Sequence, residues 1–116
     1  IYGYRREFAQ VLLNLMSNAK DALIQREIKN PTINLEVDYI DTYAIVTIKD
    51  NAGGVENEYI DLIFEPYFTT KSSLQGTGLG LYMSKMIIEK NMGGELSVEN
   101  KNDGAVFKVK IKAYNE

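Results

Sequence analysis

Residues 71–81 read KSSLQGTGLGL: a polar loop, then glycines at alternate positions 76, 78 and 80, running directly into an apolar stretch. Glycine is selected where φ must be positive or where another group needs the room a Cβ would occupy. A glycine loop opening straight onto a helix leaves backbone N–H groups and the positive end of the helix dipole facing outward, an arrangement that suits an anion. The dinucleotide fingerprint spaces its glycines differently and needs a strand immediately before them, and the GK(S/T) ending of a P-loop is missing. The meaning of the run depends on what the rest of the chain supplies.

The chain has 116 residues, 45% of them hydrophobic, which is enough for one packed core and short for two, so residues 1–116 are expected to form a single domain. It begins at Ile1 and is expected to be part of a longer protein. No stretch approaches the ~18 consecutive apolar residues of a membrane helix, and no signal-peptide order of charges, apolar run and small residues opens it. Membrane insertion is therefore not expected. There is no cysteine, which excludes disulfides and thiolate metal sites and fits a reducing compartment; the cytoplasm is the expected location. A net charge of −3 argues against a nucleic-acid surface, which needs a basic patch. The absence of histidine removes imidazole bases and any phosphohistidine within the chain.

From Arg5 to about Ile28 the apolar residues Phe8, Leu12, Leu15, Met16, Ala19 and Leu23 recur in steps of three and four, predicting a helix that Asn30 and Pro31 end. Residues 33–40 (INLEVDYI) and 44–48 (AIVTI) alternate as strands around a turn at Asp41 and Thr42. DNAGGV at 50–55 is a tight loop, followed by a short helical piece near 57–63 and by FEPYFTTKSS, where Pro66 prevents a continuous helix. A second helix is predicted from Leu79 to Asn91, closed by Gly93 and Gly94. ELSVEN and AVFKVKIKA then form a hairpin around KNDG. This order implies an α+β two-layer sandwich, its helices on one face of a mixed, mainly antiparallel sheet.

Four stretches could converge on one site. The first helix carries a polar stripe of Gln10, Asn14, Asn18, Asp21 and Gln25. It is either a solvent face or a ligand face, and asparagine, a mediocre helix former, is an odd choice for the former. An amide oxygen is a neutral hard donor suited to Mg²⁺ whose charge is balanced mainly by phosphates. Asp50 is either the start of an Asx turn or, as an acceptor-only carboxylate, a selector of an exocyclic amine such as adenine's. The adjacent glycines would let a flat base lie against the backbone. Phe64 and Phe68 flank Pro66; Phe64 reads mainly as core, and Phe68 as a cover for the loop or a partner. Lys71 is either an exposed loop lysine or a cation reaching distal phosphates.

Together, QVLLNLMSNAKDAL, DNAGGV, IFEPYFTTK and GTGLGLYMSKMIIEK resemble, in order and spacing, the N, G1, F and G2 boxes of the histidine-kinase ATP-binding domain of the GHKL superfamily, especially in nitrogen-regulation-type sensor kinases. The resemblance covers residues 5 to 112 and implies a Bergerat fold holding ATP under a lid at about 66–77. It implies that Asn18 coordinates Mg²⁺ with Asn14 beside it, and that Asp21 and Ala22 lie along the nucleotide. Asp50 would take the adenine amine, with Ala52, Gly54, Val55 and Phe64 shaping the base pocket. Lys71, Gly76, Thr77, Gly78, Leu79, Gly80 and Leu81 would meet the phosphates. Two positions depart from the pattern: Ala52 stands where the family has its first G1 glycine, and Ala105 follows Gly104 where many members have threonine. The first implies that the backbone there needs no positive φ. The second removes a hydroxyl that would help hold a water against adenine.

In ATP-hydrolysing members the place of Asn14 is usually a water-activating glutamate. An amide cannot accept a proton at neutral pH, so the resemblance favours a kinase. The implied reaction transfers the γ-phosphoryl of Mg·ATP to a histidine on a separate dimerisation and phosphoacceptor domain, with a response regulator downstream; this chain by itself is expected to be monomeric. An anti-sigma-type serine kinase, an ATPase and a catalytically silent docking module are the alternatives.

Overall fold

The computed structural model describes residues 5–68 and 80–112. Within them the chain runs as helix α1 (Arg5–Gln25), strands β1 (Ile33–Ile40) and β2 (Tyr43–Asp50), helix α2 (Gly80–Met86) prolonged by a π-helical turn (Ile87–Asn91), and strands β3 (Glu95–Lys101) and β4 (Gly104–Lys112). Leu79, predicted to open the second helix, lies outside the described residues.

The four strands form one sheet in the order β1-β2-β4-β3, every described pairing antiparallel. Two hairpins are thus laid side by side, with β2 and β4 in the centre. Strand alternation puts Ala44, Val46 and Ile48 of β2 and Ala105, Phe107, Val109 and Ile111 of β4 on one face, where they are buried with Val11 and Leu15 of α1 and Ile88 of the π turn. Both helices therefore lie on that face. The buried residues of α1, Val11, Leu15, Ala19 and Leu23, recur every fourth position; the face turned to the sheet centres on Val11, so Leu12 is only half-buried and Met16, read from the sequence as part of the stripe, is exposed.

The burial stops short of β1. Its Leu35, Val37 and Tyr39 pair with Ile48, Val46 and Ala44 and so share the helix-bearing face, yet they are 48%, 49% and 72% exposed.

The first helix ends earlier than Pro31 would dictate. Glu27 adopts φ 53°, the Glu27 N–H donates to Ile24 O at 3.1 Å, and the Ile28 N–H donates to Leu23 O at 3.1 Å. This pair of bonds is a Schellman closure with Arg26 at the C-cap and Glu27 in the left-handed position that glycine usually fills. The hairpins turn where expected. Asp41 has φ 56°, and Asn102 and Asp103 have φ 52° and 64°, the type I′ signature of a two-residue connection.

The helical piece expected near 57–63 is instead a succession of turns. Tyr59, Leu62, Glu65 and Phe68 each donate to the carbonyl three residues earlier, at 2.8 to 3.3 Å. The chain curls without reaching α-helical spacing, which lets Ile63 be buried while Tyr59, Phe64 and Phe68 rest against the core edge. Of the two glycines closing the second helix, Gly93 has φ 67°, whereas Gly94 serves by its size: a Cβ there would overlap the Lys110 carbonyl oxygen.

Left-handed backbone costs a side-chain-bearing residue on the order of 1 kcal/mol. Glu27→Gly is therefore expected to raise the unfolding free energy by ~0.5–1 kcal/mol, read from the urea midpoint at constant m-value.

Candidate nucleotide site

Asp50 ends β2, and its Oδ1 accepts two backbone N–H groups, from Ala52 at 3.0 Å and from Ala105 at 3.3 Å. The first bond is the Asx turn read from the sequence. The second crosses to β4 and is geometrically possible because Gly104 carries no side chain: a Cβ there would overlap the Asp50 carbonyl oxygen. Among the described residues Oδ2 accepts no hydrogen bond. The carboxylate is thus held at one oxygen and open at the other, so the two sequence readings, turn former and acceptor for a ligand donor, are compatible.

The loop after Asp50 is tied down residue by residue. Asn51 accepts from the Thr32 N–H at 2.9 Å and donates to Asn30 O at 2.8 Å. Ala52 is buried and lacks positive φ, as expected of an alanine in that place, while Gly53 and Gly54 have φ 100° and 84°. The Gly53 N–H donates to Asp103 O at 2.7 Å. Asn100 grips Val55 on both sides, accepting from its N–H at 2.8 Å and donating to its carbonyl at 2.6 Å. Arg26, from the end of α1, donates from Nη1 to Ala52 O at 2.8 Å and Gly54 O at 2.7 Å. A rigid, backbone-rich loop beside an open carboxylate can receive a flat ligand whose edge carries a donor.

On α1, Asn14 and Asn18 are half-buried one turn apart, with Asp21 and Ala22 half-buried further along. Asn14 is engaged at both ends of its amide: Gln10 Nε2 donates to its Oδ1 at 2.9 Å, and its Nδ2 donates to Ser84 Oγ at 3.2 Å. Ser84 is fully buried on α2, so this bond joins the two helices. Asn18 makes no hydrogen bond among the described residues and is the amide available to a ligand.

Phe64 meets Phe107 edge-on with ring centroids 6.2 Å apart, and Lys85 Nζ sits 4.8 Å from its centroid. Lys85 also donates to Glu89 at 3.0 Å and to Leu96 O at 3.1 Å. These contacts pin the turn region to α2 and β4, with Lys85 tying α2 in turn to β3, and they make Phe64 a residue of the core edge. Phe68 packs its ring on Tyr59 at 5.4 Å. Gly80 opens α2 with clear space around it, and Leu81 rests against the core. Lys71, Gly76, Thr77, Gly78 and Leu79 lie outside the described residues.

The structure therefore joins α1, the 50–55 loop and the start of α2 through Arg26, Asn14 and Ser84. Arg26, Ser84 and Asn100 were missed by sequence reasoning. Ser84 left a signal, a small hydroxyl on the apolar side of a helix; Arg26 and Asn100 left none, being a charged residue at a helix end and a polar residue near a turn. A separate cleft at the end of the helix-free sheet face is lined by Thr32, Asn34, Lys49, Asn51, Lys101 and Asn102 and shares only Asp50 with the predicted set.

Residues 3–115 match the family model described as histidine kinase-, DNA gyrase B- and HSP90-like ATPase. The chain belongs to this family. Among curated relatives of this ATPase domain, the two-component sensor PprA of Pseudomonas aeruginosa is 36% identical over 96% of the chain, and the sensor histidine kinase ZraS of Salmonella typhimurium is 40% identical over 86%. The chain spans only 12% and 20% of those proteins. Among solved structures, the catalytic domain of histidine kinase ThkA superposes with a TM-score of 0.80 at 36% identity, covering 94% of this chain and 68% of that one. ThkA in complex with the response regulator protein TrrA superposes with a TM-score of 0.77 at 30% identity, covering 97% of this chain and 30% of that one. Histidine-kinase catalytic domains thus share the α-on-β sheet architecture seen here.

Gly54→Ala would place a Cβ 2.6 Å from Asn100 Oδ1 at a φ of 84°. We expect a loss of ~2 kcal/mol or more of stability, measurable by chemical denaturation.

Proposed function

We propose that this chain is the ATP-binding catalytic domain of a sensor histidine kinase and delivers the γ-phosphoryl of Mg·ATP to a histidine on a separate dimerisation and phosphoacceptor segment. The observation that carries the reading is the Asp50 carboxylate, held at Oδ1 by Ala52 and Ala105 and open at Oδ2. An ionised carboxylate only accepts, so it favours the 6-amino group of adenine over the 6-carbonyl of guanine. Gly53 and Gly54 supply the positive φ angles that fold the loop back beside Asp50, their Cβ space being taken by Arg26 and Asn100, and Ala52, Val55 and Phe64 would complete the base pocket.

Along α1, Asn18 would hold Mg²⁺ with Asp21 and Ala22 beside the nucleotide. The donor fits: Asn18 is half-buried and makes no hydrogen bond among the described residues, and a neutral amide oxygen suits an ion whose charge the phosphates balance. When bound, Mg²⁺ supplies charge neutralisation on the phosphoryl oxygens. Gly76, Gly78 and Gly80 would offer backbone N–H groups to the phosphates, with Thr77, Leu79 and Leu81 alongside, and Lys71 would add a positive charge.

Asn14 supports phosphoryl transfer over hydrolysis. Its amide is turned between Gln10 and Ser84 and has no basic lone pair to take a proton from water, so the γ-phosphoryl is kept for a better nucleophile. A neutral histidine nitrogen in line with the departing ADP oxygen is that nucleophile, and it must come from another segment because this chain has no histidine. Relatives named sensor histidine kinases support the acceptor, and the ThkA complex supports a response regulator downstream. None of the helices of the described residues is long and apolar enough to cross a membrane; we place the domain in the cytoplasm, where its ATP is.

The test is calorimetric titration with ATP and GTP, with and without Mg²⁺, followed by transfer from γ-labelled ATP to a supplied histidine-bearing acceptor. Saturable ATP binding preferred over GTP and acid-labile label on the acceptor are expected; equal binding of both nucleotides, or none at millimolar concentration, would refute the base-reading role. Asp50→Asn is expected to cost ~1–3 kcal/mol of ATP binding, the scale of a mismatched buried hydrogen bond. Asn18→Ala is expected to abolish the strengthening of ATP binding by Mg²⁺, and a retained Mg²⁺ dependence would place the metal elsewhere.

A further inference from the structure

An arginine at a helix C-cap ordinarily answers the helix's own last carbonyls and the negative end of its dipole. Arg26 does something else. The Schellman closure at Glu27 and Ile28 turns the chain away, and Nη1 leaves its helix to reach two carbonyls of the 50–55 loop, Ala52 O at 2.8 Å and Gly54 O at 2.7 Å. One cationic nitrogen thus satisfies two oxygens two residues apart, on either side of Gly53. Nη1 lies so near Gly53 that a Cβ there would come within 3.1 Å of it. Two carbonyl dipoles pointing at one spot repel each other without a cation between them, and charge-assisted bonds of this kind are the stronger class.

Residue Ala52 gives this contact its reach. Its carbonyl is held by Arg26, and its N–H is one of the two donors on Asp50 Oδ1. These two groups belong to consecutive peptide units that meet at the Ala52 Cα, so a shift of the Ala52 backbone on the Arg26 side also displaces a donor to the carboxylate that the proposed function assigns to the base. On the far side, Asp103 and Asn100 hold Gly53 and Val55, so Arg26 is the tie from the α1 side that closes the frame. It also connects the base-reading loop to the helix bearing Asn18.

We propose that Arg26 is a positioning residue of the nucleotide site, which presets the Asp50 carboxylate and the Gly53–Gly54 backbone for the purine before the nucleotide arrives. The proposal rests on the nucleotide-binding reading above. It predicts a contribution to the purine end of the ligand and none to the metal end.

The test compares the wild-type chain with Arg26→Met, which keeps the stem and removes the donors, and Arg26→Lys, which keeps a cation with donors. ATP, ADP and GTP affinities are measured with and without Mg²⁺, together with amide hydrogen exchange at Gly53, Gly54 and Val55 without nucleotide. For Arg26→Met the expected result is a loss of ~10-fold in affinity, equal for ATP and ADP. A reduced ATP-over-GTP preference, an unchanged Mg²⁺ effect and faster exchange in the loop should accompany it, with most of the loss restored in Arg26→Lys. Unchanged affinity and preference in Arg26→Met would overturn the proposal, whether or not its melting temperature falls, because Arg26 would then be a structural tie alone. If Arg26→Met fails to fold, Arg26→Lys decides: wild-type purine preference upholds the cationic tether, and loss of affinity in a folded Lys variant with unchanged loop exchange overturns it. A wild-type chain that binds no nucleotide would refute the function itself, and the loop exchange rates would still show whether the tether holds.

Discussion

Two backbone N–H groups converging on Asp50 Oδ1 organise the site end of this molecule. One comes from the loop that follows Asp50 and the other from Ala105, the second residue of β4, so the carboxylate couples the centre of the sheet to the loop. The coupling depends on Gly104, because only a residue without Cβ lets the β4 backbone come so close to Asp50. From that point the remaining ties follow in sequence: Asn51 to the α1–β1 connection, Asp103 and Asn100 to the second hairpin, Arg26 to the end of α1. The Arg26 bonds are charge-assisted and the others are neutral and individually modest; together they replace the conformational freedom of a glycine-rich loop by one geometry.

The architecture was largely legible. Helical spacing in α1 and alternation in β2 and β4 pointed to most of the core, because those periods are set by backbone geometry alone, but periodicity did not show that Val11 would be buried and Met16 exposed, or that the apolar side of β1 would stay uncovered. The turns at Asp41–Thr42 and Asn102–Asp103 announced themselves through Asp41, Asn102 and Asp103, residue types that tolerate positive φ. The helix end at Gln25 did not, because glutamate is an unusual occupant of the left-handed closing position and nothing local marks it. The 57–63 region failed for a related reason: its helix-like composition was overruled by the need to bury Ile63 and rest Phe64 on Phe107, which a chain of tighter turns accomplishes.

At the site, residue type was readable and partnership was not. Asp50, Asn14, Asn18 and the paired glycines stood out because their chemistry is unusual for their positions. Arg26, Asn100 and Ser84 act through partners distant in sequence, 26 to 70 residues away, and a contact of that range leaves no local pattern. The same holds for Ala105, whose contribution is a backbone N–H and thus independent of its side chain.

The bare side of β1 bears on how the chain behaves in solution. An edge strand offers a row of unpaired backbone groups, and here the same strand shows Leu35, Val37 and Tyr39 on a face that neighbouring strands keep dry. Charged residues on its other face, Glu36 and Asp38, are the opposing influence, since like charges resist edge-to-edge stacking of identical strands. With a net charge of only −3 and Glu36 paired to Lys49 at 3.6 Å, that repulsion is weak, and salt screens it further. Colloidal stability should therefore fall as ionic strength rises, through a single strand and without any loss of the folded core.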